Sequence, residues 1–526
     1  MKTLLLVFAS LLWIVSGRAE ELLWPLPDSR TITGGFADSR PDHFHGGVDV
    51  RAQSPLPVVA PADGWVERFA VSPTGYGRTV YFRMSDGRTA VFGHLSRFEP
   101  RLEQMLRDSQ LVIGTYRVDC SFVSASPERS YHRGETVAFT GHTGIGPSHF
   151  HFEIREGAVQ TDPLANYNPR DTQPPVISHL WWTPLSKFTP FDHGTEVRVN
   201  KGVADQAIQV DEPLAFFIQT YDPGPWGRHA VPSVIRMRVR NEIVYEYYPT
   251  RVDLLGPRDI YSGIVWSDRR RSDLDIRRIF AVPPPSAYQD SLRDAFGWLS
   301  KLSGDTVFIE VEDRAGSITT AAIPVTAGAW KATPASSCPD SLQVGRFRLD
   351  CSGDVSAAWA TFEFLNSREV EIGPTDFAFG DRHRLTYEMA DDEALPGLYF
   401  YELKSHGARR PLWRNPDEES SRRMSCSILR AGTYGIAEDH EPPRLLISAR
   451  SGKITFDLRD SESGIDDSVV RCRVDGKTAI AEFEYEEHGG AIWTSETLSR
   501  GLHEVVFEAA DRAGNAKTWT VSTTIH

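Results

Sequence analysis

Two short stretches constrain this chain more than anything else in it: His45-Gly-Gly-Val-Asp49 and Ser148-His-Phe-His-Phe-Glu153. Zinc accepts imidazole nitrogen and carboxylate oxygen, and a hydrolytic zinc site uses three protein ligands so that a fourth position stays open for water. His45, Asp49 and one histidine of the His149-Phe-His151 pair have the types and spacings to supply those three. The other histidine of the pair, with His94 in Val-Phe-Gly-His-Leu-Ser, is then free to handle protons. Residues two apart on a strand share a face. That puts His149 and His151 on one side and turns Phe150, Phe152 and Ile154 into a core; it likewise puts His45, Gly47 and Asp49 opposite Val48 and Val50. Gly46 and Gly47 argue against a helix and leave room around a metal. The stretch does not read His-Glu-x-x-His, so a helical zinc motif is excluded.

Further stretches accompany these two: Pro57-Val-Val-Ala-Pro-Ala-Asp-Gly-Trp-Val66, Gly75-Tyr-Gly77, Gly93-His94-Leu-Ser96 and Gly141-His-Thr-Gly144. In this order, each beside its glycines, the set resembles the M23 (lysostaphin/LytM-type) metallopeptidases over roughly residues 25–168, about a quarter of the chain. The resemblance implies a β-sheet peptidase domain in which His45, Asp49 and His151 bind Zn2+ while His94 and His149 are the catalytic histidines. Its implied substrate is a peptide crosslink of peptidoglycan. Two departures stand out. The family's Gly-Pro-His-Leu-His is here Gly146-Pro147-Ser148-His149-Phe150-His151, with the proline one place early. The stretch from Arg97 to Arg133 is also longer than the minimal family needs; Leu102, Met105 and Leu106 predict a short helix over Arg101 to Gln110, followed by a flap at the cleft mouth.

His43, His132 and His142 are read as ordinary surface or core histidines, with an outer-shell role open for His43. Glu153 lies on the histidine face and either orients one of the rings or is a structural glutamate. The catalytic segment reads as all-β, with strands at Trp65–Val71, Thr79–Met84 and Arg88–Leu95 and a hairpin turn at Ser85-Asp86-Gly87.

At 526 residues the chain should form several domains. Lys2, the apolar run Leu4–Val15 and Gly17-Arg18-Ala19 read as a secretory signal, too short for a comfortable membrane span. No later segment looks transmembrane. Cleavage after Ala19 takes the formal charge from −14 to −16, because it removes Lys2 and Arg18 and no acid. Such an acidic protein is a poor partner for nucleic acid or for an anionic surface. Five cysteines (Cys120, Cys338, Cys351, Cys426, Cys472) are too few for a disulfide scaffold, although Cys338 and Cys351 are close enough in sequence to pair in an exported protein.

Beyond a polar linker, Asn168 to Gln173, the chain repeats itself faintly. Pro174-Pro175 reappears as Pro442-Pro443, and Asp313-Arg-Ala-Gly316 as Asp511-Arg-Ala-Gly514. Each pair brackets a β-rich stretch resembling the Ig-like sandwiches of exported proteins. The expected fold is therefore all-β throughout: a signal at 1–19, the peptidase domain at 20–170, an Ig-like β domain with an insertion at 171–328, a β-rich domain at 329–438 and an Ig-like sandwich at 439–526. Within the insertion, Arg269-Arg-Arg271 is flanked by Asp268 and Asp273 and reads as a solvated loop. No catalytic constellation is visible after residue 168. The leading expectation is an exported zinc endopeptidase of peptidoglycan in the periplasm or at the cell surface. Two others compete: a non-catalytic activator of another wall hydrolase, and an adhesion or assembly protein whose C-terminal β domains meet a cell-envelope partner.

Overall fold

The computed structural model describes residues 21–526 except 41–42, 54, 168–170, 185–186, 188, 190–191, 211–213, 225–229, 254–262, 266–274, 281–288, 293–298, 300–301, 303, 328–339, 352–359, 374–377, 394–395, 405, 416–421 and 451. The signal sequence, Cys338 and the Asp268–Asp273 run lie outside the described residues. Among the described residues no helix is long and apolar enough to cross a membrane.

Among the described residues the regular structure is nearly all β, as the short alternating β-branched runs dictate. The first part contains β1 (Ile32–Gly34), β2 (Val48–Val50), β3 (Pro57–Val59), β4 (Gly64–Val71), β5 (Arg78–Met84), β6 (Thr89–Phe98), helix α1 (Pro100–Ile113), β7 (Val118–Ser121), β8 (Ser130–Tyr131), β9 (Thr136–Thr140), β10 (Phe150–Glu156) and β11 (Val159–Thr161). The order β1-β2-β10-β6-β5-β4-β7 forms the main path of one sheet, with β9 against β6 and β8 against β4. Strand β10 lies between β2 and β6, so the two halves of the metal motif become neighbours. Phe150 pairs with Val50, His151 with Asp49 and Phe152 with Val48. Alternation then sorts the side chains: Val48, Val50, Phe150, Phe152 and Ile154 are fully buried, and Phe92 packs against Phe150 and Phe152 at 5.9 and 6.0 Å. Each such aromatic contributes about 1.5–3 kcal/mol by leaving water.

The strand expected from His45 onward starts only at Val48. His45 sits in the preceding loop, and its ring reaches the site from there. Gly47 is needed for packing: a Cβ there would lie 2.4 Å from the backbone oxygen of Phe152.

The helix over Arg101–Gln110 forms and is longer. Pro100 opens it, the Glu99 carboxylate accepts from the amides of Arg101 and Leu102, and Gly114 closes it in the left-handed region at φ 76°. The flap after it is a correction. Residues 118–121 form β7, which hydrogen-bonds along β4 at the sheet edge remote from β2 and β10, and β8 also pairs with β4. The extra length extends the sheet.

Further sheets follow. One four-stranded sheet is built on Val176–Pro184 and Leu214–Tyr221, and an eight-stranded one on Thr306–Glu312 and Ile318–Ala327. Four- and five-stranded sheets occupy residues 341–438, and a seven-stranded one occupies 444–525. The Asp-Arg-Ala-Gly repeats sit where expected, at hairpin turns, with Gly316 and Gly514 at φ 85° and 97°. Arg277 and Arg278, further along the insertion, are buried, and Arg277 donates to the carbonyl of Ala37 in the first domain.

The last segment folds back onto the first. Glu482 binds Arg78 at 2.9 Å and Arg107 at 2.6 Å, and Asp467 binds Arg117 at 2.7 Å. Glu484 accepts from the Tyr116 hydroxyl at 2.7 Å and from the Gly144 amide at 3.1 Å, and Glu486 accepts from the Gly146 amide at 3.2 Å.

Candidate metal centre

Asp49 projects from β2 and His151 from β10 at one register position, and His45 closes a triangle with them. His45 Nε2, Asp49 Oδ1 and His151 Nδ1 are mutually 3.0 Å apart. Each ring's second nitrogen is committed elsewhere. His45 Nδ1 lies 2.6 Å from the Gly35 carbonyl, and His151 Nε2 lies 2.8 Å from Glu153 Oε1. A carbonyl and a carboxylate only accept, so both protons sit on those outer nitrogens. With both rings neutral, two imidazole lone pairs and a carboxylate oxygen converge, an arrangement that needs a cation among them, either a proton shared with Asp49 or a metal ion.

The triangle fits zinc. Tetrahedral ligands at 2.0–2.1 Å from zinc are about 3.3 Å from one another. The outer partners also match what a metal site requires, because a carboxylate or carbonyl on the far nitrogen fixes the tautomer and raises ligand basicity. Arg40 holds Asp49 Oδ2 at 2.6 Å, leaving Oδ1 to face the centre.

The electrostatics follow from this crowding. Burial pushes His45 down to about 4, against the pull of Asp49. Burial would also lower His151, but its hydrogen bonds to Asp49 and Glu153 carry it up to about 9. Burial opposes ionisation of Asp49, yet the rings of His45, His149 and His151 that surround it hold it far below the usual carboxylate range. Glu153 is depressed likewise, chiefly by His151 and Arg155 in spite of burial.

His149 and His94 stand beside the triangle. His149 precedes β10; its Nδ1 donates to the Pro147 carbonyl at 2.6 Å, and its Nε2 lies 3.4 Å from Asp49 Oδ1. His94 has its ring 4.2 Å from that of His149 and donates through Nδ1 to the Thr143 carbonyl at 2.9 Å. Its φ of 58° is costly for a residue with a Cβ, the kind of strain that collects at functional sites. Burial and the nearby His149 push His94 down to about 3, so its ring is neutral. All five residues singled out in the sequence thus meet at one place.

Three others were not placed there by sequence: Arg40, Tyr76 and, as a definite partner, Glu153. Tyr76 stacks on His151 at 5.0 Å and donates its hydroxyl to Glu153 at 2.5 Å. The alternation of β10 was the available signal for Glu153. Tyr76 and Arg40 come from loops; Gly75-Tyr76-Gly77 is one of the stretches in the family resemblance, but nothing there gives the ring its role, and nothing in the spacing of Arg40 points to the site.

An all-β domain carrying two histidines and an aspartate around a metal-sized centre, with two more histidines beside it, is a metallopeptidase-type domain. Residues 43–121, within the N-terminal part of this chain, match Peptidase family M23. The match ends before His149 and His151. An uncharacterized metalloprotease of Haemophilus influenzae is 33% identical over 122 residues, covering 23% of this chain and 20% of that protein. A lipoprotein NlpD/LppB homolog of Pseudomonas aeruginosa is 29% identical over 147 residues, 28% of this chain and 40% of that protein. The chain thus spans less than half the length of either relative. Among solved structures, a zinc-containing peptidase from Vibrio cholerae is 22% identical over 25% of this chain and 35% of that one, at a TM-score of 0.19. The catalytic domain of lysostaphin from Staphylococcus simulans is 20% identical over 25% of this chain and 84% of that one, at 0.18.

Proposed function

We propose that this protein is an exported zinc endopeptidase that hydrolyses peptide crosslinks of peptidoglycan. The observation that carries the reading is the 3.0 Å triangle of His45, Asp49 and His151, with its outer nitrogens saturated and two further histidines alongside. These three residues would hold zinc, which when bound supplies Lewis acidity toward water and the scissile carbonyl. His149, whose Nδ1–H is tied to Pro147, keeps Nε2 free to take the proton of the attacking water. His94, tied through Nδ1 to Thr143, likewise offers only Nε2 to the cleft. Being neutral, it must first take up a proton before it donates to the leaving amine or the developing oxyanion.

The signal-like N-terminus supports export, and the relatives' names fit an envelope role. The β segments after residue 170 are read as Ig-like modules that contact a cell-envelope partner. The complete ligand set disfavours a non-catalytic activator. Digestion of purified peptidoglycan tests the reading: muropeptides carrying newly freed peptide ends should appear, vanish on chelation and return with zinc. Intact crosslinks after incubation with a zinc-loaded, folded protein would overturn it.

A further inference from the structure

Outside the histidine site, folding brings together three aspartates that are far apart in sequence. Asp171 lies on the connector just before Pro174-Pro175, Asp222 follows the strand Leu214–Tyr221, and Asp313 opens the turn after Thr306–Glu312. Each offers one carboxylate oxygen, and these oxygens lie within 4.8 Å of one another. Asp222 and Asp313 are each only 2% exposed.

The hydrogen bonding is asymmetric in a consistent way. Asp171 Oδ1 accepts from the Gln173 amide at 2.9 Å, and Asp222 Oδ1 from the Gly224 amide at 3.0 Å. Asp313 Oδ1 accepts from the amides of Ala315 and Ser317, each at 2.8 Å. One oxygen of each carboxylate thus fixes its own turn. Asp313 Oδ2 is buried and has no hydrogen-bond partner among the described residues. A buried carboxylate oxygen left in that state is costly unless something positive meets it. The nearby cation, Arg314, is spent largely elsewhere: its Nε binds Asp162 at 2.5 Å and its Nη1 is 3.8 Å from Asp222.

The second repeat supplies an internal contrast. Asp439, Asp460 and Asp511 form the same three-carboxylate group. There Asp511 Oδ2 accepts from Asn515 Nδ2 at 2.8 Å, and Asp439 Oδ2 from the Ser463 hydroxyl at 2.6 Å. The residue matching Asn515 in the first repeat is Ser317, which contributes only its amide. Protein donors serve the second cluster, and the first is left open.

We propose that Asp171, Asp222 and Asp313 form a binding site for a hard divalent cation of the calcium class at the junction between the peptidase domain and the following β segment. All donors are oxygen, which suits calcium and disfavours zinc. Calcium–oxygen bonds of about 2.3–2.6 Å place opposite ligands nearly 5 Å apart, in keeping with the observed spread. Three carboxylates around one point also repel; burial together with Asp171 and Asp313 raises Asp222 above its ordinary value, against Gly224 and Arg314. A bound cation would tie the connector to two turns of the next segment, beside the Arg314–Asp162 link back to the peptidase domain.

The test is calcium titration of the full chain after passage over a chelating resin, read by calorimetry and thermal unfolding, with zinc content measured separately. Calcium should bind with a Kd at or below about 10⁻³ M and raise the melting temperature. Asp313→Asn and Asp222→Asn should each weaken calcium at least about tenfold, because affinity follows the number of ligand charges. Both should keep the zinc content of the parent, which separates this site from the histidine centre. In calcium-free buffer Asp313→Asn should melt no lower than the parent, since it removes one of three repelling charges. Absence of binding heat and of a melting shift at ~10 mM calcium would overturn the proposal. So would an unchanged calcium affinity in both variants, or a calcium response lost in Asp511→Asn and kept in Asp313→Asn.

Discussion

At the scale of single residues, His151 on β10 and His149 just before it are the pair in which one pleat would divide metal ligand from acid–base group. His151 presents Nδ1 to His45 and Asp49, whereas His149 points Nε2 at the same oxygen from 3.4 Å with its other nitrogen on Pro147. His151→Ala should therefore lose zinc and activity together. His149→Ala should retain zinc while turnover falls by about 10²–10⁴, the usual contribution of a positioned acid–base group. Metal content and muropeptide release on the same preparations check both; zinc lost from His149→Ala and kept by His151→Ala would exchange the roles. A second outcome concerns the metal-free protein. His45 and His94 are pushed down to about 4 and 3, so their unfolded forms bind protons first and stability falls as pH drops below about 6.5. His151 is raised to about 9, so its contribution is complete below about 6.5 and is lost as pH rises through 9. Chelated protein should thus melt highest near pH 6–7, and zinc should remove the alkaline decline by taking the place of the proton. A melting temperature still rising from pH 7 to 9 without metal would contradict this. The ligand types were legible because zinc chemistry restricts them so strongly. Glu153 was less so, since a glutamate on a strand face is ordinarily solvated; here it is fully buried between His151, Tyr76 and Arg155.

At the scale of elements, the site depends on β2 and β10 meeting with Asp49 opposite His151. A slip of one residue would turn His151 into the core and Phe150 or Phe152 into the cleft. Gly47 helps hold that register by letting the loop before β2 run close over Phe152. Gly47→Ala should destabilise the domain by about 1–3 kcal/mol through overpacking and weaken zinc binding, because the displaced segment carries both His45 and Asp49. Denaturant unfolding and zinc competition with a chelator measure the two effects; a parent-like result in both would show that the loop yields at no cost. Periodicity made β4, β5, β6 and the helix legible. It could not show which edge β7 joins, because the alternation in Val118–Ser121 says only that one face is covered. Edge pairing depends on where α1 delivers the chain, and that is a tertiary fact. The His45 loop was misread for a related reason: residues two apart share a face only where the backbone is extended, and the strand begins three residues after His45.

At the scale of the whole molecule, the last segment hydrogen-bonds to the loop at residues 141–147 beside the histidines, a contact that could not be read from the sequence. In Lys477–Glu484 the acids Glu482 and Glu484 flank Phe483, and such an alternation by itself would put them on a solvated face. They face Arg78, Arg107, Tyr116 and Gly144 instead. Gly144 adjoins Thr143, whose carbonyl accepts from His94 and whose hydroxyl donates to the Leu95 carbonyl at 2.8 Å. Glu484, on the last segment, thus touches the loop that holds the His94 ring, and the expected consequence is that it positions His94. Removing one partner of a part-buried hydrogen-bonded pair costs about 1–3 kcal/mol. If that cost falls on the loop's geometry, Glu484→Ala should lower turnover about tenfold and leave zinc content unchanged, since no ligand lies on residues 141–147. A merely structural role would lower the melting temperature and leave turnover per folded molecule untouched. The double variant separates the two. Against His94→Gln, Glu484→Ala should have little further effect, because both changes act on the same ring and contributions through a shared partner do not add. Equal fold losses from Glu484→Ala in the parent and in His94→Gln would show that the last segment influences catalysis by another route.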